Sequence, residues 1–259
     1  MSKPIVTILI PNYKTLELTR LCLSLIRKHT DLSRIKIMVI DNDSNDDSTH
    51  YLRSLNWITL IERKSIPGES ATASHARALD LGLQQVDTRY VLSIHTDTLI
   101  KHPAWLNLLL LNIEKRPTIA GVGSWKLEEK SLWKQALKLV ERNAQLVYCH
   151  LMRQGHAIEG AGKNYYYLRS HCALYRMDLI RKFDLHFAGG DMVAGKDMHK
   201  KLVDAGYEMI FLPSSVLINY LDHINHATTI LNPELSLRAR SVNKGLRRME
   251  EIMMRMNQD

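Results

Sequence analysis

Cysteine is scarce in this chain: Cys22, Cys149 and Cys172 are the only three in 259 residues, and no CxxC pair occurs. That excludes a disulfide framework and a thiolate zinc finger, and reduced thiols in a cytosolic protein are the simple reading. Long apolar runs are missing too. No stretch reaches the roughly 18 residues a membrane span needs. The opening MSKPIVTILIPNY has too short an apolar run, and no small-residue cleavage site, for a signal peptide; it reads as a strand. PNYKTLE, the loop after that strand, lacks the GxGxxG of a dinucleotide-binding dehydrogenase. RRM, KH and helix-turn-helix signatures are absent, which argues against a nucleic-acid partner. There are no repeats and no low-complexity linker.

What is present suits one large α/β domain, or one domain with an appended subdomain. Apolar residues make up 45% and charged residues 24%, enough for a full core. A formal net charge of +8 suits an anionic partner: a nucleotide, a nucleic acid or an acidic membrane surface.

The first half alternates strand and helix patterns. Residues 5–10, IVTILI, form a β-branched run ended by Pro11-Asn12-Tyr13. Leu16, Leu18, Leu21, Leu25 and Ile26 then recur at helical spacing. Residues 35–40, IKIMVI, form a second buried strand and end in the polar burst DNDSNDDS, which offers carboxylates and a helix cap. A short strand at 57–62, a Pro-Gly turn and a helix over 71–85 follow. Residues 90–94, YVLSI, then run straight into His95-Thr96-Asp97-Thr98. This order predicts a parallel, doubly wound sheet flanked by helices. Polar clusters end at least three of its strands, and ligands of such sheets bind at the carboxyl edge. Beyond Asp97 the pattern predicts helices at 105–114, 127–153, 177–183 and 195–206, and strands at 120–125, 171–175 and 208–212. A polar segment holds His223 and His226, and a long basic helix spans 235–256.

Four stretches together resemble the inverting glycosyltransferases of family 2, with the GT-A fold. VTILIPNY is similar to the family's first strand. VIDNDSNDDS resembles its acidic motif, usually written VDDGSxDGT. SHARALDLGL with RYVLSIHTDT resembles its helix and DXD strand. KDMHKKLVDAGYEMIFLP resembles the segment after the catalytic acid. They occur in the family's order over about 200 residues.

The resemblance implies a nucleotide-sugar half, residues 1–100, and an acceptor half of the same domain, residues 101–230; residues 231–259 form a terminal amphipathic helix. It implies that Asp41 accepts a ring N–H from the base, with helix capping the competing role. Asp43 stands where the family usually has glycine, and Pro11 and Tyr13 would shape the base pocket. Arg77, with His75, sits on the helix where a basic residue approaches the donor. Asp97 would hold Mn2+ or Mg2+ against the diphosphate, since hard cations take oxygen ligands.

His95 replaces the first acid of DXD, so that it either ligates the metal or hydrogen-bonds the donor. Thr96 lies between them at the donor. His223 and His226 fall where the family places a histidine on the metal or diphosphate, and Asp222 could orient His223. Inverting transfer needs a carboxylate to take the acceptor proton. The family's Glu-Asp pair falls on Ala194-Gly195, so the candidates are Asp191 and Asp197.

Trp125, Trp133 and Tyr165 to Tyr167 could stack on an acceptor sugar or pack in the core. The expected partners are a nucleotide-sugar donor, UDP-linked first, and a glycan or lipid-linked acceptor. The basic helix could touch the inner face of a membrane peripherally or join a homodimer. The alternative function is a catalytically inactive nucleotide-sugar binder.

Overall fold

The computed structural model describes residues 3–125, 127, 164–224, 231–232, 250–251 and 254. The expected helices over 127–153 and 235–256, with Trp133 and His226, lie largely or wholly outside these residues.

The chain begins with β1 (Val6–Asn12), α1 (Leu16–His29) and β2 (Ile35–Asn42). Then come α2 (Asp47–Arg53), β3 (Thr59–Arg63), α3 (Ala71–Leu83) and β4 (Tyr90–Ile94). The short β5 (Thr98–Ile100) leads into α4 (Trp105–Ile113) and β6 (Ile119–Gly123). After the undescribed residues come β7 (Cys172–Arg176), α5 (Met177–Lys182), α6 (Lys196–Asp204), β8 (Glu208–Phe211), α7 (Ser214–Leu217) and β9 (Leu221–His223).

The main sheet has seven strands in the order β3-β2-β1-β4-β7-β6-β8. β1 is parallel to β2 and β4, β2 to β3, and β6 to β8. β7 is antiparallel to both β4 and β6. The sheet is therefore mostly parallel, as expected, with one reversed strand that sequence order did not predict. β1 and β2 carry on past their apolar runs: Pro11 pairs with Ile40 and Asn12 with Asp41.

Central strands are covered on both faces, so their side chains need no polar alternation. Every residue of β4 is buried. One side of the sheet packs Ile8, Ile10, Leu92 and Ile94 against Leu18, Cys22 and Ile26 of α1. The other packs Leu9, Ile40 and Val91 against Ala76, Leu79 and Leu83 of α3. Each large aliphatic side chain so buried contributes roughly 1.5–3 kcal/mol. Gly82 lets α3 lie close to the sheet, since a Cβ there would stand 3.0 Å from Ile40 and Leu9.

Two short strands missed in the sequence, β5 and β9, form a separate antiparallel ribbon. Its register sets Thr98 opposite His223, and the Ile224 N–H donates to the Asp97 carbonyl at 3.0 Å. The ribbon thus ties the residue after His223 to the end of β4.

Candidate active site

The chain leaves β1 toward β2 and β3 on one side, then returns to place β4 on the other. The ends of β1 and β4 therefore flank the topological switch point, where open α/β sheets bind ligands. A cavity of about 760 Å³ opens there. Pro11, Asn12, Tyr13, Asn42 and Asp43 line it from β1, β2 and their loops; His75 comes from α3. His95 and Asp97 come from the end of β4, His223 from β9, and Tyr167, Arg169, Ser170 and His171 from the flank of β7.

The reversed strand explains that last group. Ile94, at the carboxyl end of β4, pairs with Cys172, the first residue of β7. An antiparallel strand brings its N-terminal flank to the edge where its parallel neighbours end. Ser170 and His171 therefore meet His95, and Arg169 reaches the same cavity.

Asp97 is buried, 5% exposed. Its Oδ1 lies 3.3 Å from His223 Nε2 and 3.8 Å from His95 Nδ1. One ligand atom from each of His95, Asp97 and His223 falls within 4.8 Å of the others. Burial pushes His95 well below the usual histidine range, helped by the neighbouring His75. Burial likewise lowers His171, and brings His75 to about 4. Neutral imidazoles keep the lone pair a cation needs. Two imidazole nitrogens with one carboxylate suit Mn2+ and other first-row divalent ions better than Mg2+, which prefers oxygen donors. The donor set therefore fits the expected cation. Asp222 does not orient His223. Adjacent strand residues point to opposite faces, and Asp222 instead meets Lys101 at 3.2 Å.

Asp41 sits below the cavity wall rather than on it, 3% exposed. Its carboxylate accepts from Asn12 Nδ2 at 2.8 Å, from Thr49 Oγ1 at 2.9 Å and from Ser44 Oγ. Asn12 is the hub of this network: Nδ2 also faces Ser44 and Ser48, and Oδ1 accepts from Thr15 and Thr19.

Asp43 does line the cavity. Its φ of 65° is left-handed, which glycine adopts freely and aspartate tolerates; that accounts for the family's glycine here. Hydrogen bonds from Ser65, Asn45 and Lys64 hold its carboxyl well below the usual range. Beside it, Asn42 accepts from Arg63 at 2.7 Å, and Arg63 forms a buried pair with Glu69 at 2.6 Å.

Several expected site residues lie off the wall. Arg77 donates to Glu69 at 2.7 Å. Thr96 is buried and exchanges a hydroxyl bond with Thr15 at 3.2 Å, joining the end of β4 to the start of α1. Asp191 pairs with Lys196 at 2.6 Å, and Asp197 with Lys201 at 2.9 Å. Asp197 also occupies the space a side chain at Gly189 would need, with Oδ2 2.5 Å from that position. Val193 and Ala194, between the two acids, are the ones that reach the wall. Tyr167 lines the cavity, and Trp125 meets Tyr166 and Tyr167 edge-on, with Arg169 over its ring at 5.1 Å.

Sequence reasoning missed Asn12, Glu69, Arg169, Ser170 and His171. The available signal was the polar run RSH directly before an apolar strand, which marks an edge position only once the strand's direction is known.

A doubly wound sheet with a carboxylate and imidazoles at its switch point, opening on a cleft of this size, defines an α/β protein with a candidate ligand site at its carboxyl edge. The chain belongs to glycosyl transferase family 2, whose sequence model matches residues 7–196. Its fold is GT-A-like. It is similar to the mannosyltransferase PcManGT from Pyrobaculum calidifontis, solved with GDP-Man and Mn2+: TM-score 0.54, 18% identity, covering 82% of this chain and 55% of that one. It is also similar to TarS (residues 1–349) of S. aureus: TM-score 0.53, 13% identity, 89% and 63% covered. A third is glucosyl-3-phosphoglycerate synthase from Mycobacterium tuberculosis with Mn2+, UDP and glucosyl-3-phosphoglycerate: TM-score 0.54, 18% identity, 94% and 78% covered. The chain thus spans less than two thirds of the first two. No curated protein sequence matches it. Among the described residues, no helix is long and apolar enough to cross a membrane.

Proposed function

We propose that the protein transfers a sugar from a nucleotide diphosphate, UDP-linked first, to a hydroxyl of a glycan or lipid-linked acceptor with inversion, in surface-polysaccharide synthesis. The observation that carries this is the meeting of His95, Asp97 and His223 at the switch-point cavity. These three residues would hold a divalent cation, Mn2+ rather than Mg2+. When bound, it would offset the charge that develops on the leaving diphosphate.

The chain's own residues do the rest. Asn42, Asp43 and Tyr13 wall the donor end; Asp43, kept ionised by its donors, accepts hydrogen bonds from a base or ribose. Asp41 acts through Asn12, holding the PNY loop against the acidic loop. Arg169, the only lysine or arginine on the described wall, faces anionic groups of substrate. Tyr167 and Trp125 border the acceptor end, in keeping with a donor half before residue 100 and an acceptor half after it. Asp191 is the preferred proton acceptor, because it lies on the exposed turn two residues from Val193; Asp197 is hemmed in behind Gly189. The reading includes a cytoplasmic protein that touches the inner face of the membrane peripherally, supported by the arginines and lysines of the sequence over 235–256.

A second reading, an inactive nucleotide-sugar binder, is favoured by the ion pairs that hold both acids off the wall. Incubation with UDP-, GDP-, dTDP- and CMP-sugars, with Mn2+ or Mg2+, separates the two. Nucleotide release that depends on Mn2+ and on a hydroxyl acceptor supports transfer. Thermal stabilisation without release, across varied acceptors, supports the binder; no stabilisation by any nucleotide sugar overturns both.

A further inference from the structure

His95 is the residue at which this chain departs from the DXD pattern, and a partly buried hydrogen-bond chain runs from it. Its Nε2 lies 3.0 Å from Ser170 Oγ, and His75 Nε2 lies 3.1 Å from the same hydroxyl. The two rings meet edge-on at 4.8 Å. Ser170 is itself buried, and its neighbour His171 is fixed by Ser124 at 2.8 Å and lies over His223 at 4.6 Å.

A serine hydroxyl has one proton to give and two lone pairs. If His95 offers a lone pair at Nδ1, the nitrogen facing Asp97, its proton must sit on Nε2 and point at Ser170. Ser170 then accepts from His95 and passes its own proton toward His75 Nε2. This arrangement gives each of the two bonds at the Ser170 hydroxyl one donor and one acceptor.

We propose that Ser170 is a positioning residue: it holds the His95 ring in its Nε2–H tautomer, so that Nδ1 completes a cation site with Asp97 and His223. The inference rests on the cation reading above. A histidine can stand where a carboxylate is usual because α3 and the flank of β7 supply this outer hydrogen bond. Such outer partners orient metal-bound histidines, and their loss typically weakens metal binding about 10- to 100-fold.

The test is calorimetric titration of the nucleotide-free protein with Mn2+. Ser170→Ala should weaken binding about 10- to 100-fold, and Ser170→Thr, which keeps the hydroxyl, should recover most of it. In a His95→Ala background, Ser170→Ala should add little, because its effect passes through His95. Equal Mn2+ affinity in wild type and Ser170→Ala overturns the proposal, as does a full additive loss in the His95→Ala background. The tautomer is checked without any variant of Ser170. In metal-free wild-type protein, nitrogen-15 NMR should show the His95 proton on Nε2; a proton on Nδ1 overturns the proposal even if Ser170→Ala fails to fold. A wild type that binds no Mn2+ contradicts the cation reading instead, and the tautomer measurement still decides the role of Ser170.

Discussion

Replacing Asn12 with alanine should cost the fold more than any other single polar truncation in the donor half. The side chain is fully buried. Its Nδ2 donates to the Asp41 carboxylate at 2.8 Å and faces the Ser44 and Ser48 hydroxyls at 3.2 and 3.0 Å; its Oδ1 accepts from Thr19 at 2.7 Å and Thr15 at 3.1 Å. A bond to a charged group is worth about 1.5–3 kcal/mol, and each buried group left unsatisfied costs about 1–3. Asp41 keeps Ser44 and Thr49, and Thr19 keeps the Thr15 carbonyl, so the losses do not simply add. A net loss of about 3–5 kcal/mol is expected. Urea unfolding reads it as a lower midpoint at unchanged slope. Asn12→Asp separates charge from shape: it sets a second carboxylate against Asp41, so its penalty relative to wild type should be larger at pH 7 than at pH 4. A loss under about 1 kcal/mol for Asn12→Ala would refute the hub role.

Other consequences follow from the same geometry. Asp97→Ala should abolish the Mn2+-dependent part of nucleotide binding, read by calorimetry with and without the ion, while Asp191→Ala should spare binding and remove transfer; full activity in Asp191→Ala would rule out its role as base. His95→Asp restores an oxygen donor and should raise activity with Mg2+ relative to Mn2+, read as the ratio of rates in the two ions. His199 accepts the Leu168 N–H at Nδ1, and burial lowers its pKa to about 4. The unfolded chain binds its proton first, so stability should be complete above about pH 6.5 and fall toward pH 4, by at most about 3 kcal/mol. In His199→Gln, melting temperature measured from pH 7 to pH 4 should lose that part of the slope; an unchanged slope would assign it elsewhere.

The fold was legible where periodicity is strong. The apolar runs at β1, β2 and β4 and the helical spacing of α1 and α3 predicted a doubly wound sheet, because two-sided burial leaves a continuous hydrophobic signature. Strand direction left no such signature. The run at β7 looks the same parallel or reversed, yet its reversal brings Ser170 and His171 to His95. The ribbon of β5 and β9 is three residues per strand, too short for a periodic signal.

Asp97 was named as a metal candidate from the carboxylate at the end of a buried strand and His223 from the resemblance, and the ribbon register is what brings them to 3.3 Å. Asp41 was expected on the wall and lies beneath it, because β2 continues through Asn42 and alternation turns Asp41 toward Asn12. Of the acids near 191–197 the sequence favoured Asp191 over Asp197, but their pairing with Lys196 and Lys201 was not legible, since it depends on how the glycine turn folds back.

The central claim is that His95, Asp97 and His223 together hold the cation that meets the donor diphosphate. Crystals grown with UDP and Mn2+, with anomalous diffraction collected at the manganese edge, test it most directly. The account predicts one anomalous peak within about 2.0–2.4 Å of Asp97 Oδ1, His223 Nε2 and His95 Nδ1, touching the UDP phosphates. A peak elsewhere, or ordered UDP with no manganese at these three residues, would contradict it.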